Sequence, residues 1–281
     1  MNNSESPKVG PPDSNDQKKI EGRSFARRNI WIVLFLIAAF IIGGVGLMVY
    51  RLYNNIKQYS DIGKEDAYKD GKMSKAGSTF TAPYYPSVKS AKLIIDGGGT
   101  EFRLKDTTNS LFNADARASH NKYKFKAQKG DEGEELYFIS RNQGTKKNGN
   151  TGDSVNFKLN VNPQWEIEIK TGATDLDFDL SKYKLKSIKI EGGAGSFTVK
   201  LGKPLATTEV NISTGISEST IEVPKDAACS IESKSDFSSD QFEGFKQKDK
   251  THYETPGFDS ATNKIIIHYN GVMSDFEVHR Y

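Results

Sequence analysis

From Val88 onward one spacing keeps returning: two apolar residues two apart, a glycine three further on, then apolar residues four and six beyond that glycine. Leu93, Ile95, Gly98, Phe102 and Leu104 meet it in full, as do Ile167, Ile169, Gly172, Leu176 and Phe178, and again Ile188, Ile190, Gly193, Phe197 and Val199. A fourth copy has Val210, Ile212 and Gly215, with Ser219 in place of an apolar residue before Ile221 and Val223. A last copy, Ile265, Ile267, Gly271, Phe276 and Val278, needs one extra residue on each side of its glycine, and Cys229, Ile231, Phe237 and Phe242 make a degenerate one. Alternation of this kind is the signature of strands with one buried face. A glycine between two short strands marks a corner, because a residue without Cβ can pass close to a neighbouring backbone.

Gly172 and Gly193 are 21 residues apart, Gly193 and Gly215 22. One such unit cannot bury its apolar face alone, whereas a stack of similar units makes a continuous core. The chain is therefore expected to be all-β, a stacked-strand, solenoid-like domain over 88–281, with Gly98, Gly172, Gly193, Gly215 and Gly271 as its structural repeat glycines. A shift of 21 residues also places Glu168 over Lys189 and Lys170 over Glu191, so opposite charges meet on the outer face. An antiparallel sandwich with hairpins at the glycines is the alternative that the same short strands allow. Residues Asp106 to Pro163 interrupt the repeat with further alternating strands and two polar loops, Gln128–Glu135 and Asn142–Asp153, both candidate contact surfaces.

Ahead of this domain, Ile30 to Tyr50 gives 21 consecutive residues without a charge, enough for a helix to cross the ~30 Å hydrocarbon core of a bilayer. A cleaved signal peptide is the competing reading. It would have an apolar stretch of about 7–15 residues followed by small cleavage-site residues, and here bulky Met48 to Tyr53 follow instead. Lys18, Lys19, Arg23, Arg27 and Arg28 before the segment outnumber Arg51, Lys57 and Lys64 after it, which favours a cytoplasmic N-terminus. The expected organisation is a disordered cytoplasmic tail at 1–28, a single transmembrane helix at 29–50, a juxtamembrane helix and linker at 51–87, and the extracytoplasmic β-repeat domain at 88–281. The helix continuation rests on Leu52, Ile56 and Tyr59 at helical spacing.

Composition narrows the chemistry. A net charge of +3 does not favour nucleic acid, and a single cysteine forms neither an internal disulfide nor a cysteine-rich zinc site. Asp175, Asp177 and Asp179 alternate along one strand and share a face, which reads as a solvated surface; calcium binding is the lesser alternative, because the matching positions one repeat on are Ser196, Thr198 and Lys200. The same Asp175 and Asp177 are the carboxylates that a carbohydrate-active enzyme would use. His120, His252, His268 and His279 show no metal-binding spacing, Cys229 lacks a neighbouring base, and Gly192–Gly195 is followed by a strand rather than by a helix that would cradle phosphate. Asn211-Ile212-Ser213 is a glycosylation acceptor in pattern only. No catalytic residue, cofactor-binding residue or metal ligand is assigned.

The GATDLDFDLS and GGAGSFTVKLG pair, the Val223-Pro224 step and the closing Gly257-Phe258-Asp259, in this order, resemble the toast-rack, LiaF-like C-terminal domain and the related bacterial putative-adhesin domains of β-strand repeats. The resemblance covers roughly Val88 to Tyr281. It implies a bacterial, extracytoplasmic, stacked-strand domain without enzymatic activity, some relatives of which restrain a membrane sensor kinase in envelope-stress signalling. Those relatives usually carry several N-terminal spans, where this chain shows one. The resulting expectation is a non-enzymatic single-pass membrane protein for binding, scaffolding or envelope-stress sensing. An adhesin or structural spacer at the cell surface is the alternative. Its expected partners are cytoplasmic membrane lipid and an envelope protein or cell-wall polymer, with no cofactor and no nucleic acid, and with oligomers allowed.

Overall fold

Ile95 and Phe102 are both fully buried although seven residues separate them. In a straight strand an odd separation puts two side chains on opposite faces. The chain must therefore turn over between them, and it does so at Gly97–Gly99, where Gly99 has φ +66°. The computed structural model describes residues 72–74, 77–117, 121–142, 152–203 and 205–281. The expected tail and transmembrane helix lie outside the described residues, as do His120 and most of the loop between Asn142 and Asp153. No helix among the described residues is long and apolar enough to cross a membrane.

In chain order the strands are β1 (Lys72–Ser74), β2 (Gly77–Ala82), β3 (Ser90–Asp96), β4 (Thr100–Thr107), β5 (Phe112–Arg117), β6 (Asn121–Lys129), β7 (Glu134–Asn142) and β8 (Asp153–Leu159). They are followed by β9 (Gln164–Leu180), β10 (Lys184–Leu201), β11 (Thr207–Val223), β12 (Ala228–Phe242), β13 (Lys246–Gln247), β14 (His252–Glu254) and β15 (Lys264–Arg280). The long strands are bent rungs. In β9 the buried positions are Trp165, Ile167 and Ile169, and after Gly172 they become Thr174, Leu176, Phe178 and Leu180, so the buried parity changes at the corner. Each rung thus has a first arm and a second arm whose apolar faces both look inward.

Rungs stack in parallel in the order β9, β10, β11, β15, β12. On the other side of β9, β3 and β4 form the two arms of a rung, and β7 and β8 form the rung beyond it. Antiparallel strands finish this end, β6 on β7 and β5, β2 and β1 on β8. The β13–β14 pair covers part of β12 at the opposite end. Residues 106–163 therefore break the repeat in sequence but continue the stack in space. Parallel pairing along the whole stack removes the antiparallel-sandwich alternative.

Repetition makes columns of like residues. Leu136, Leu93, Ile167, Ile188, Val210, Ile267 and Ile231 are in register along the first arms, each buried. Burying one such side chain contributes about 1.5–3 kcal/mol, so the column is a principal source of cohesion. At the β5–β8 end the core turns aromatic: Phe112 stacks on Phe125 at 4.7 Å, and Phe138 meets Phe157 edge-on at 5.1 Å.

Three expectations change in detail. The stretch expected as helix and linker, 51–87, contains β1 and β2, and Phe80 and Ala82 of β2 are in the core. In the last copy the first arm is displaced by two residues, Ile267 and Tyr269, not Ile265 and Ile267, pairing with Val210 and Ile212, while Phe276 and Val278 of the second arm pair with Ser219 and Ile221 as expected. Gly271 consequently pairs with Thr214, and the corner opposite Gly215 falls at Val272. A period of two explains why both registers bury the same face and why sequence alone does not separate them.

Candidate functional site

The outer faces of the first arms carry the residues between the buried positions. Parallel stacking sets them in rows running along the stack, perpendicular to the strands. One row reads Glu168, Lys189, Asn211, His268, Glu232 and His252, and the next reads Lys170, Glu191, Ser213, Asn270 and Lys234. The expected register of Glu168 with Lys189 and of Lys170 with Glu191 is present. The ion pairs are distributed differently. Glu168 takes Lys92 at 3.2 Å and Lys170 at 3.0 Å, and Lys189 takes Glu191 on its own strand at 2.6 Å. Burial disfavours the charge of Glu168, but the two lysines outweigh it and hold its carboxyl below the ordinary glutamate range.

At the far end of the rows one carboxylate gathers three strands. Glu232 of β12 accepts from Lys234 at 2.5 Å and pairs with His268 of β15 at 2.9 Å, and His252 of β14 is 3.7 Å away. Lys234 first, and His268 after it, hold the Glu232 carboxyl below its usual value. His252 is in turn bonded to Asp249 at 2.8 Å. Backbone N–H of Thr251 and the His252 ring push the Asp249 carboxyl down to about 2.

Between these two groups of paired charges, β11 and β15 present Asn211, Ser213 and Asn270. They line a half-open trough of about 280 Å³ bounded by Lys189 on one side and by Glu232 and Lys234 on the other. Sequence reading missed this trough. Its signal was the change from charged to uncharged outward residues after β10, which the two-residue displacement of the last copy concealed.

The corner edge is a second feature. Gly98, Gly172, Gly193 and Gly215 follow one another along it, with the Gly98 and Gly193 Cβ positions directed at Gly172 backbone atoms. Beyond Gly215 side chains appear: Ile216, Val272 and Met273 are each more than half exposed, beside Glu218 and Asp275.

Other sequence candidates are dispersed. Asp177 pairs with Lys105 at 2.5 Å. Asp179 accepts from Ser181 Oγ at 2.5 Å, and its carboxyl, which burial would raise, is held low chiefly by Ser181. Asp175 is exposed, and no group of three or more potential metal ligands exists among the described residues. All three described histidines are exposed: His252 of β14 and His268 of β15 meet at Glu232, whereas His279, at the other end of β15, pairs with Glu277 at 2.9 Å. Cys229 is fully buried and burial pushes its thiol far up, which leaves it protonated and unreactive. Asn211 sits in the middle of the sheet, not on a loop. The Gln128–Glu135 turn is tied to the stack, with Ser90 Oγ donating to the Glu132 carbonyl and Lys186 reaching Glu132 at 3.5 Å.

The structure is similar to the crystal structure, at 1.95 Å resolution, of a "putative cell adhesion protein" from Clostridium sporogenes ATCC 15579. The TM-score is 0.66 at 19% identity, over 73% of this chain and 100% of that one; identity at this level speaks to the fold. No curated protein matches the chain. Residues 61–222, more than half of the sequence, match the model of the N-terminal domain of toast_rack, DUF2154, and the chain belongs to that family.

Proposed function

We propose that this chain is a single-pass envelope protein whose β-repeat domain lies outside the cytoplasmic membrane and serves binding or scaffolding rather than catalysis. One observation carries the reading: a toast-rack stack whose outward ionisable groups are largely engaged with one another. Such a surface is suited to holding a partner and poorly suited to moving protons. The uncharged stretch at 30–50 supports a retained anchor, with the basic residues before it on the cytoplasmic side. Envelope protein or wall polymer is the partner, and envelope-stress sensing is the regulatory version of the same role.

Two measurements test it. Alkaline phosphatase fused after Tyr281 should be active in the periplasmic or extracellular space, and protease added to intact spheroplasts should degrade residues 88–281. A fusion that is expressed but has inactive phosphatase, together with residues 88–281 protected from the added protease, overturns the reading. For the signalling version, deletion of the gene should change envelope-stress transcription or wall-antibiotic sensitivity; if neither moves, that version is lost. The alternative role of adhesin or surface spacer is favoured by the name of the structural neighbour. It predicts reduced cell attachment on deletion with unaltered stress transcription.

A further inference from the structure

We propose that the trough on the outer face of β10, β11, β15 and β12 is a binding site for an extended, uncharged, β-linked glycan bearing hydroxyl and acetamido groups. The inference rests on the extracytoplasmic reading above and adds the ligand class and the residues. The backbones of Asn211, Ser213 and Asn270 are in the ladder, but their side chains make no hydrogen bond among the described residues, so side-chain donors and acceptors face outward and uncommitted. They stand on neighbouring strands in register, Ser213 directly opposite Asn270. Adjacent strands lie about 4.7–4.9 Å apart, close to the length of one pyranose unit in an extended glycan. Ser213 and Asn270 therefore offer uncommitted hydrogen-bonding groups to two successive sugars, with Asn211 in the adjoining row.

The surroundings select against other ligand classes. A polyanion needs basic groups to spare, but Lys189 and Lys234 are already paired with carboxylates at 2.6 and 2.5 Å. A protein partner is anchored by apolar or aromatic side chains reaching out of the surface, and the apolar residues lining the trough, Ile190, Ile212 and Tyr269, are no more than 2% exposed. What remains is a neutral ligand rich in hydroxyl and amide groups. Binding is weak, because no exposed aromatic ring is available for a sugar to stack on.

The probe is the hexamer of β-1,4-linked N-acetylglucosamine, titrated into the full-length chain in detergent micelles and followed by calorimetry and saturation-transfer NMR. Binding is expected with Kd of about 0.1–1 mM and with little dependence on salt. The double variant Asn211→Ala/Asn270→Ala is expected to bind at least about tenfold more weakly, since each amide contributes a hydrogen bond. Its melting temperature should be unchanged, because neither side chain has an intramolecular partner to lose. Three results would each overturn the proposal: no binding at about 10 mM hexamer, equal binding by the double variant, or salt-sensitive binding only to poly(glycerol phosphate) run in parallel. Failure here with the domain outside the membrane removes this inference alone, whereas a cytoplasmic domain in the fusion assay removes the reading beneath it.

Discussion

At Gly193 and Gly195 the neighbouring rung leaves no room for a side chain. A Cβ on Gly193 would lie 2.4 Å from the Gly172 carbonyl oxygen, and one on Gly195, whose φ is +140°, would lie 1.8 Å from that of Thr174. Backbone cannot be displaced without opening the parallel ladder. Gly193→Ala is expected to cost about 1–3 kcal/mol from overpacking. Gly195→Ala is expected to cost more, since backbone strain adds about 1–3 kcal/mol. Gly172 occupies the same column, yet nothing lies within 4 Å of its Cβ position. Gly172→Ala is therefore expected to be neutral or to stabilise by about 0.4–1 kcal/mol through the unfolded chain. Urea midpoints of the three variants check this, and equal losses at all three would contradict the asymmetry of the corner.

Elements at the β12 end show how a stack is stopped. In the column Phe102, Leu176, Phe197, Ser219, Phe276, the next residue is Asp240, bonded by Ser233 Oγ at 2.7 Å. Among the described residues no strand pairs with the outer side of the second arm of β12. An inward-pointing charge on such an edge discourages addition of another strand. Asp240→Leu is expected to give concentration-dependent association in light scattering; a variant as monodisperse as the parent would deny the carboxylate this role. Glu232 acts at the same end by joining β12, β15 and β14. Its folded-state pKa is depressed from the ordinary 4.5, so its contribution is present above that value and lost as pH falls through the folded value. The stability gap between parent and Glu232→Gln should be present at about pH 6 and close below about pH 4.5. A gap unchanged at pH 3 would contradict it.

For the molecule as a whole, the order of rungs in space is not their order in the chain. β15, the last strand, is inserted between β11 and β12 and pairs with both along nearly its full length. Tyr281 closes this arrangement by donating its hydroxyl to the Leu201 carbonyl at 2.8 Å. Truncation after Asn263 would leave two long parallel edges unpaired and remove buried Ile265, Ile267, Tyr269, Phe276 and Val278. It is expected to abolish cooperative unfolding by circular dichroism, whereas removal of 243–254, which covers only part of β12, should leave the transition in place with a lower midpoint. Similar behaviour of the two truncations would show that β15 is peripheral.

The repeat, its glycine corners at Gly98, Gly172, Gly193 and Gly215 and the odd spacing across them were legible in the residues, and with them a stack of bent rungs as the leading expectation. They follow from local rules: alternation sets which face is buried, and a change of parity demands a bend. The trough was not legible, although each of its residues was in plain view. Asn211 and His268 become neighbours only because β15 enters between β11 and β12 with Ile267 opposite Val210. A period of two leaves every even displacement of a strand equally apolar on its inner face. In the register adopted, Tyr269 lies opposite Ile212 and stacks on Phe276 with ring centroids 3.9 Å apart, a contact that alternation alone does not specify. Sequence set the rung; tertiary packing set the order and register of the rungs, and with them the outer surface on which function depends.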